Sequence, residues 1–118
     1  MTITGIERIE LLKREWKNLA KIVATIAKEL FNIDYVYVFG STIKNRVSGS
    51  SDLDIAVPLP KDQDSLEAKL KIVERLYEYL DEKIVQILDI HVIPVDEINK
   101  PPYVWYLRES LIIYANSD

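Results

Sequence analysis

The chain has no cysteine and only one histidine, His91, among 118 residues. Without cysteine there are no disulfides and no thiolate metal site. A single histidine excludes a multi-histidine zinc centre. An excess of positive charge is also missing: 15 Lys and Arg face 19 Asp and Glu, a net charge of -4. A high-affinity, sequence-blind nucleic-acid binder needs a basic face, so nucleic acid is not an expected partner. No apolar run is long enough to span a bilayer, and no membrane role is expected. The start, Met1-Thr-Ile-Thr-Gly-Ile-Glu-Arg8, enters an amphipathic pattern without the apolar stretch of a signal peptide, which predicts a cytoplasmic protein.

What is present is ordinary for a folded domain. The composition is 48% hydrophobic and 29% charged, and the length suits one compact core, so a single domain over 1–118 is expected. Gly5 to Phe31 reads as a long helix. Ile9, Leu12, Trp16, Leu19, Val23, Ile26 and Leu30 follow steps of three and four, with Ala20, Ala27 and Phe31 widening the stripe. A core-facing helix is the plain reading, and a coiled-coil seam is the alternative. Thr4 and Glu7 have the spacing of a capping box.

Alternation predicts a strand over Tyr35 to Phe39 and a second over Leu53 to Val57, ended by Pro58 and Pro60. A second helix is predicted from Ser65, capped by Asp64, to Asp81 or Glu82, with Leu66, Leu70, Val73, Tyr77 and Leu80 as its buried stripe. Gln86 to Ile93 reads as a third strand, with Leu88, Ile90 and Val92 on one face and Asp89 and His91 on the other. Pro101-Pro102 breaks the chain before a short helix over Tyr103 to Glu109, and Ser110 to Ala115 is a final strand or an extended tail. This pattern predicts a small α/β domain, a mixed sheet with helices packed on one face.

The most informative segment joins the first two strands. Tyr35-Val-Tyr-Val-Phe-Gly-Ser41 is followed by a polar loop and then by Ser51-Asp-Leu-Asp-Ile-Ala-Val57. Gly40 permits a positive φ and close approach of a ligand to the backbone, and Ser41 adds a hydroxyl and an N–H for a phosphate. Asp52 and Asp54, two apart on a strand, project to one face, where a divalent cation relieves their mutual repulsion. A phosphate cradle beside a metal site points to chemistry on a nucleoside triphosphate.

Gly40-Ser41, ten residues, and then Asp52-Leu-Asp54 resembles the signature of the nucleotidyltransferase superfamily that includes DNA polymerase β. The short length is similar to that of minimal nucleotidyltransferases, many of them antitoxins paired with HEPN-domain proteins. The resemblance runs from about Asp34 to Tyr114. It implies a third carboxylate on a neighbouring strand, and Asp89 fits by position and parity. Asp52, Asp54 and Asp89 are then the catalytic and metal-binding acids, holding Mg²⁺, two ions by the family's chemistry. Gly40, Ser41 and Lys44 are the nucleotide-binding residues, with Arg46 a weaker candidate, and ATP is the implied substrate. The loop departs from the family form, since Lys44-Asn45 stands where many members have Arg-Gly. Lys keeps the charge without the bidentate fork, and Asn tolerates the left-handed conformation.

The implied function is transfer of AMP onto a hydroxyl, a tyrosine of a HEPN toxin being the implied acceptor, with the chain acting as antitoxin. Two other classes compete: a non-catalytic antitoxin or binding module, and a small-molecule transferase of the aminoglycoside-modifying type, for which a homo-oligomer would build the missing substrate site. Each residue also has a bland reading. Gly40-Ser41 is a plain turn, the acids are solvated, Lys44 and Arg46 are loop cations in water, and His91 is an exposed strand residue. Tyr103, Trp105, Tyr106 and Tyr114 read as packing, with Trp105 or Tyr106 the candidates for a partner interface.

Overall fold

The computed structural model describes residues 3–115. The expectation of one domain over 1–118 extends to residues 1, 2 and 116–118, which lie outside the described residues. The chain runs through α1 (Gly5–Phe31), β1 (Tyr35–Phe39), β2 (Leu53–Leu59), α2 (Ser65–Tyr79), α3 (Glu82–Val85), β3 (Leu88–Pro94), α4 (Tyr103–Tyr106) and β4 (Leu111–Tyr114).

At 1.5 Å per residue, α1 accounts for about 40 Å, which is the long dimension of the molecule, 40 × 31 × 30 Å. Its start is fixed by the expected capping box: the Glu7 N–H donates to Thr4 Oγ1 at 3.2 Å, and the Thr4 N–H donates to Glu7 Oε1 at 3.3 Å. Its end is fixed by Asn32, in the left-handed region at φ 60°, after which Ile33 N–H reaches back to the Ala27 carbonyl. Leu12, Leu19, Ala20, Val23, Ala24, Ile26 and Ala27 are buried.

The four strands lie in the order β3-β2-β1-β4, with β1 antiparallel to β2 and β4, and β2 parallel to β3. This is the expected mixed sheet. Val36, Val38, Leu53, Ile55, Val57 and Leu59 form one face and share a continuous core with α1 and α2. On the opposite, open face the register sets side chains in rows across the strands. Phe39, Asp54 and Asp89 form one row, and Tyr37, Ala56 and His91 form the next. The connection from β3 to β4 must pass from one sheet edge to the other. It crosses the open face at Tyr37, which lines a cavity with Ile98, Val104 and Leu107.

Four expectations need correction. β2 is not ended by Pro58 but continues to Leu59. Leu59 accepts from the Val95 N–H at 2.9 Å, so Leu59, not Pro58, turns its backbone toward the β3 side. The β1 ladder stops at Ala56, so the missing proline N–H faces no strand. The stripe of α2 is rotated: Ala68, Ile72 and Leu76 are buried, whereas Leu66, Leu70 and Tyr77 are exposed. The helix is apolar on two sides, and the small Ala68 marks the side that approaches the core closely. Finally, α2 stops at Tyr79, where Leu80 turns extended at φ -133° and ψ 153°, and α4 is a single turn that stops at Tyr106.

Candidate active site

The site is built where β1 ends and β2 begins. Gly40 has φ 85°, and a Cβ placed on it would collide with Asp54 Oδ2 and lie 3.2 Å from Asp54 Cγ. Glycine is therefore needed twice at this position, for its backbone conformation and for the carboxylate packed against it. The loop then curls through one helical turn. Lys44 N–H donates to the Gly40 carbonyl at 3.2 Å and Arg46 N–H to the Ser41 carbonyl at 2.9 Å. Asn45 takes the left-handed conformation, φ 56°, that its side chain tolerates. Lys44 Nζ lies 4.0 Å from Glu109 Oε2, so this cation has a carboxylate neighbour on the β3–β4 crossover. Arg46 is exposed.

Asp54 and Asp89 are paired across β2 and β3, one beside the other in the parallel register. Parallel pairing keeps both side chains on the open face, as parity predicts. His91 completes the group. Its Nε2 lies 3.3 Å from Asp54 Oδ1 and 3.2 Å from Asp89 Oδ2. The hydrogen bond to Asp54 raises the imidazole pKa above 6.5, burial opposes it, and the Asp89 charge adds to the rise. The Phe39 ring packs 5.1 Å from the imidazole and so limits its movement. Sequence parity put His91 beside Asp89 on one face. Its approach to Asp54 follows only from the register between two strands whose acids lie far apart in the chain.

Asp52 is held differently. It precedes β2, and Arg8 of α1 reaches it, with Nη1 3.6 Å from Asp52 Oδ1 and 3.3 Å from the Ser51 carbonyl. The helix start approaches this loop because Gly49 and Gly5 touch backbone to backbone: a Cβ on Gly49 would lie 2.9 Å from the Gly5 Cα. Arg8 Nε is buried without a hydrogen-bond partner among the described residues. Desolvation raises the Asp52 pKa, Arg8 opposes this, and the charges of Asp89 and Asp54 add to it. All three acids therefore share one electrostatic neighbourhood. Among the described residues, the atoms close enough to ligate one cation, within 4.8 Å of one another, belong to Asp54, Asp89 and His91. Nothing local in the sequence signals Arg8, which acts from the far end of the N-terminal helix.

This donor set fits a divalent cation. Clustered carboxylates repel unless neutralised, and two carboxylates with an imidazole, their donor atoms within 4.8 Å of one another, suit a hard or borderline ion.

The mixed sheet and helix layer, with adjacent acid-bearing strands beside a glycine turn, define a nucleotidyltransferase fold. The chain belongs to the polymerase beta nucleotidyltransferase family, whose model matches residues 20–101. It is similar in structure to a Sulfolobus solfataricus protein solved as a candidate nucleotidyltransferase, at 20% identity and a TM-score of 0.57, covering 89% of this chain and 84% of that one. None of the curated proteins matches the chain. The protein is thus a nucleotidyltransferase domain, and among its described residues no helix is long and apolar enough to cross a membrane.

Proposed function

We propose that the domain transfers AMP from ATP onto a hydroxyl presented by a partner protein, a tyrosine of a HEPN-type toxin, and so acts as an antitoxin. The observation that carries the reading is the contact of Gly40 with Asp54 beside Asp89. It joins a phosphate-type turn to a carboxylate pair in one place.

Asp54 and Asp89 would hold the divalent cation, Mg²⁺ in the family's usual form, and Asp52 would join them on release from Arg8. When bound, such an ion lowers the pKa of an attacking hydroxyl and offsets charge on the leaving pyrophosphate. Ser41 and the N–H groups of the turn orient the phosphates, and Lys44 adds positive charge when it leaves Glu109. Of the two paired acids, Asp89, 45% exposed against 26% for Asp54, is the more open to an incoming hydroxyl and accepts its proton. In this reading the acceptor is delivered by another protein. Trp105, 60% exposed, and Tyr106, 57% exposed, offer an aromatic surface for that delivery.

Intact-mass spectrometry of a HEPN partner incubated with the domain, ATP and Mg²⁺ tests the reading. The partner should gain one or more AMP units, and Asp52→Asn with Asp54→Asn should abolish the gain. An unchanged partner mass with the native domain would turn the reading toward a non-catalytic binding module.

A further inference from the structure

Asp54 and Asp89 offer oxygen, but the third donor at their centre is nitrogen. His91 Nε2 stands 3.3 Å from one carboxylate oxygen and 3.2 Å from the other. Cis ligands of an octahedral ion with bonds of about 2.1 Å are separated by about 3 Å. The nitrogen therefore already stands at nearly the spacing of a neighbouring octahedral ligand from each carboxylate, and one donor atom from each of the three residues lies within 4.8 Å of the others. The imidazole is also placed by the fold. It projects from β3 on the same face as Asp89, lies in the row of the small, buried Ala56, and packs on Phe39. A nitrogen donor adds little for Mg²⁺, which selects oxygen and retains water. It adds considerably for first-row transition ions, which accept carboxylate and imidazole together.

We propose that His91 Nε2 is a direct ligand of the cation held by Asp54 and Asp89, and that the site consequently prefers a first-row transition ion such as Mn²⁺ to Mg²⁺. This rests on the reading of Asp54 and Asp89 as cation ligands. It extends that reading to a residue outside the Gly-Ser and Asp-x-Asp pattern and to the identity of the ion.

Pulsed EPR of the tag-free full chain loaded with Mn²⁺ gives a direct test. His91 is the one histidine in the sequence, so any imidazole coupling belongs to it. The expected spectrum shows a directly bound nitrogen whose signature changes on growth with [¹⁵N]histidine. This measurement needs no variant. In a second arm, Mg²⁺ displaces bound Mn²⁺, read from the free-ion EPR signal. His91→Asn, checked for folding by circular dichroism, should lower the Mn²⁺-over-Mg²⁺ preference by at least about tenfold, the low end for loss of a residue that supports a metal. Bound Mn²⁺ without nitrogen coupling, an unchanged preference in His91→Asn, or no Mn²⁺ binding would each overturn the proposal. Nucleotidyl transfer is read separately from partner mass. A failure confined to the nitrogen coupling leaves that reaction standing, and a failure of transfer leaves the Mn²⁺ spectrum unchanged.

Discussion

The two faces of the sheet are made from alternate residues of the same strands, yet they are built on opposite terms. On the helix-covered face Val36, Val38, Leu53, Ile55, Val57 and Leu59 are all fully buried, and each side chain contributes by leaving water. On the open face Asp54, Asp89 and His91 remain partly exposed, and their arrangement rests on charge and hydrogen bonding. One residue step along β2 passes from one regime to the other. Stability and chemistry are therefore separable at the level of single neighbours, and substitutions on the two faces should fail in different assays.

The sharpest break lies between residues 54 and 55. Asp54→Asn should reduce AMP transfer more than about 100-fold, beyond the usual cost of losing a residue that merely supports a ligand. Its urea midpoint should stay close to that of the native protein, because the change also removes a like-charge neighbour of Asp52 and Asp89. Ile55→Ala should do the reverse. It should cost about 2–5 kcal/mol of unfolding free energy and leave transfer per folded molecule unchanged. Equal damage to activity and stability in both variants would erase the distinction between the faces.

Gly40→Ala should blur that distinction by acting on both. The positive φ costs about 1–2 kcal/mol for a residue with a Cβ. The new methyl must also move the Asp54 carboxylate. Denaturation and Mn²⁺ binding, measured on the same sample, should both weaken. A loss of stability with native cation affinity would show that Asp54 can yield without consequence.

The smallest expected effect is a pH dependence of the cation-free protein. Asp54 holds the His91 imidazolium above its ordinary pKa of 6.5. This stabilisation is present in full below that value and is lost as pH rises through the raised native pKa. The thermal midpoint in chelator should therefore fall from mildly acid to mildly alkaline pH more steeply than in His91→Asn. Parallel profiles for the two proteins would remove His91 from the account.

What could be read from the chain depended on how local the signal was. The ends of α1 were legible because caps act within a few residues: Thr4 with Glu7 at one end and the Phe31-Asn32 boundary at the other. The motif acids and Gly40 were legible because their spacing is short. The α2 stripe was not, because Leu66, Leu70 and Tyr77 repeat with the same period as Ala68, Ile72 and Leu76. Period alone cannot choose between two apolar sides, and the hydrophobic weight favoured the one that faces water. Pro58 misled because its effect depends on which neighbour its nitrogen faces, a property of the sheet and not of the strand. The approach of Arg8 to Asp52, and of His91 to Asp54, arises from tertiary packing.

The parallel register that sets Asp54 beside Asp89 has a further consequence. In the extended chain these two residues are far apart, and they meet only when β2 and β3 pair. A cation gripped by both would be a cross-link between the central strand and an edge strand, closing the loop that carries α2 and α3. It differs from a disulfide in being reversible and in having a strength set by the concentration of the ion. A chain that contains no cysteine would thereby gain a removable staple at its candidate site, one released by a chelator and untouched by a reductant.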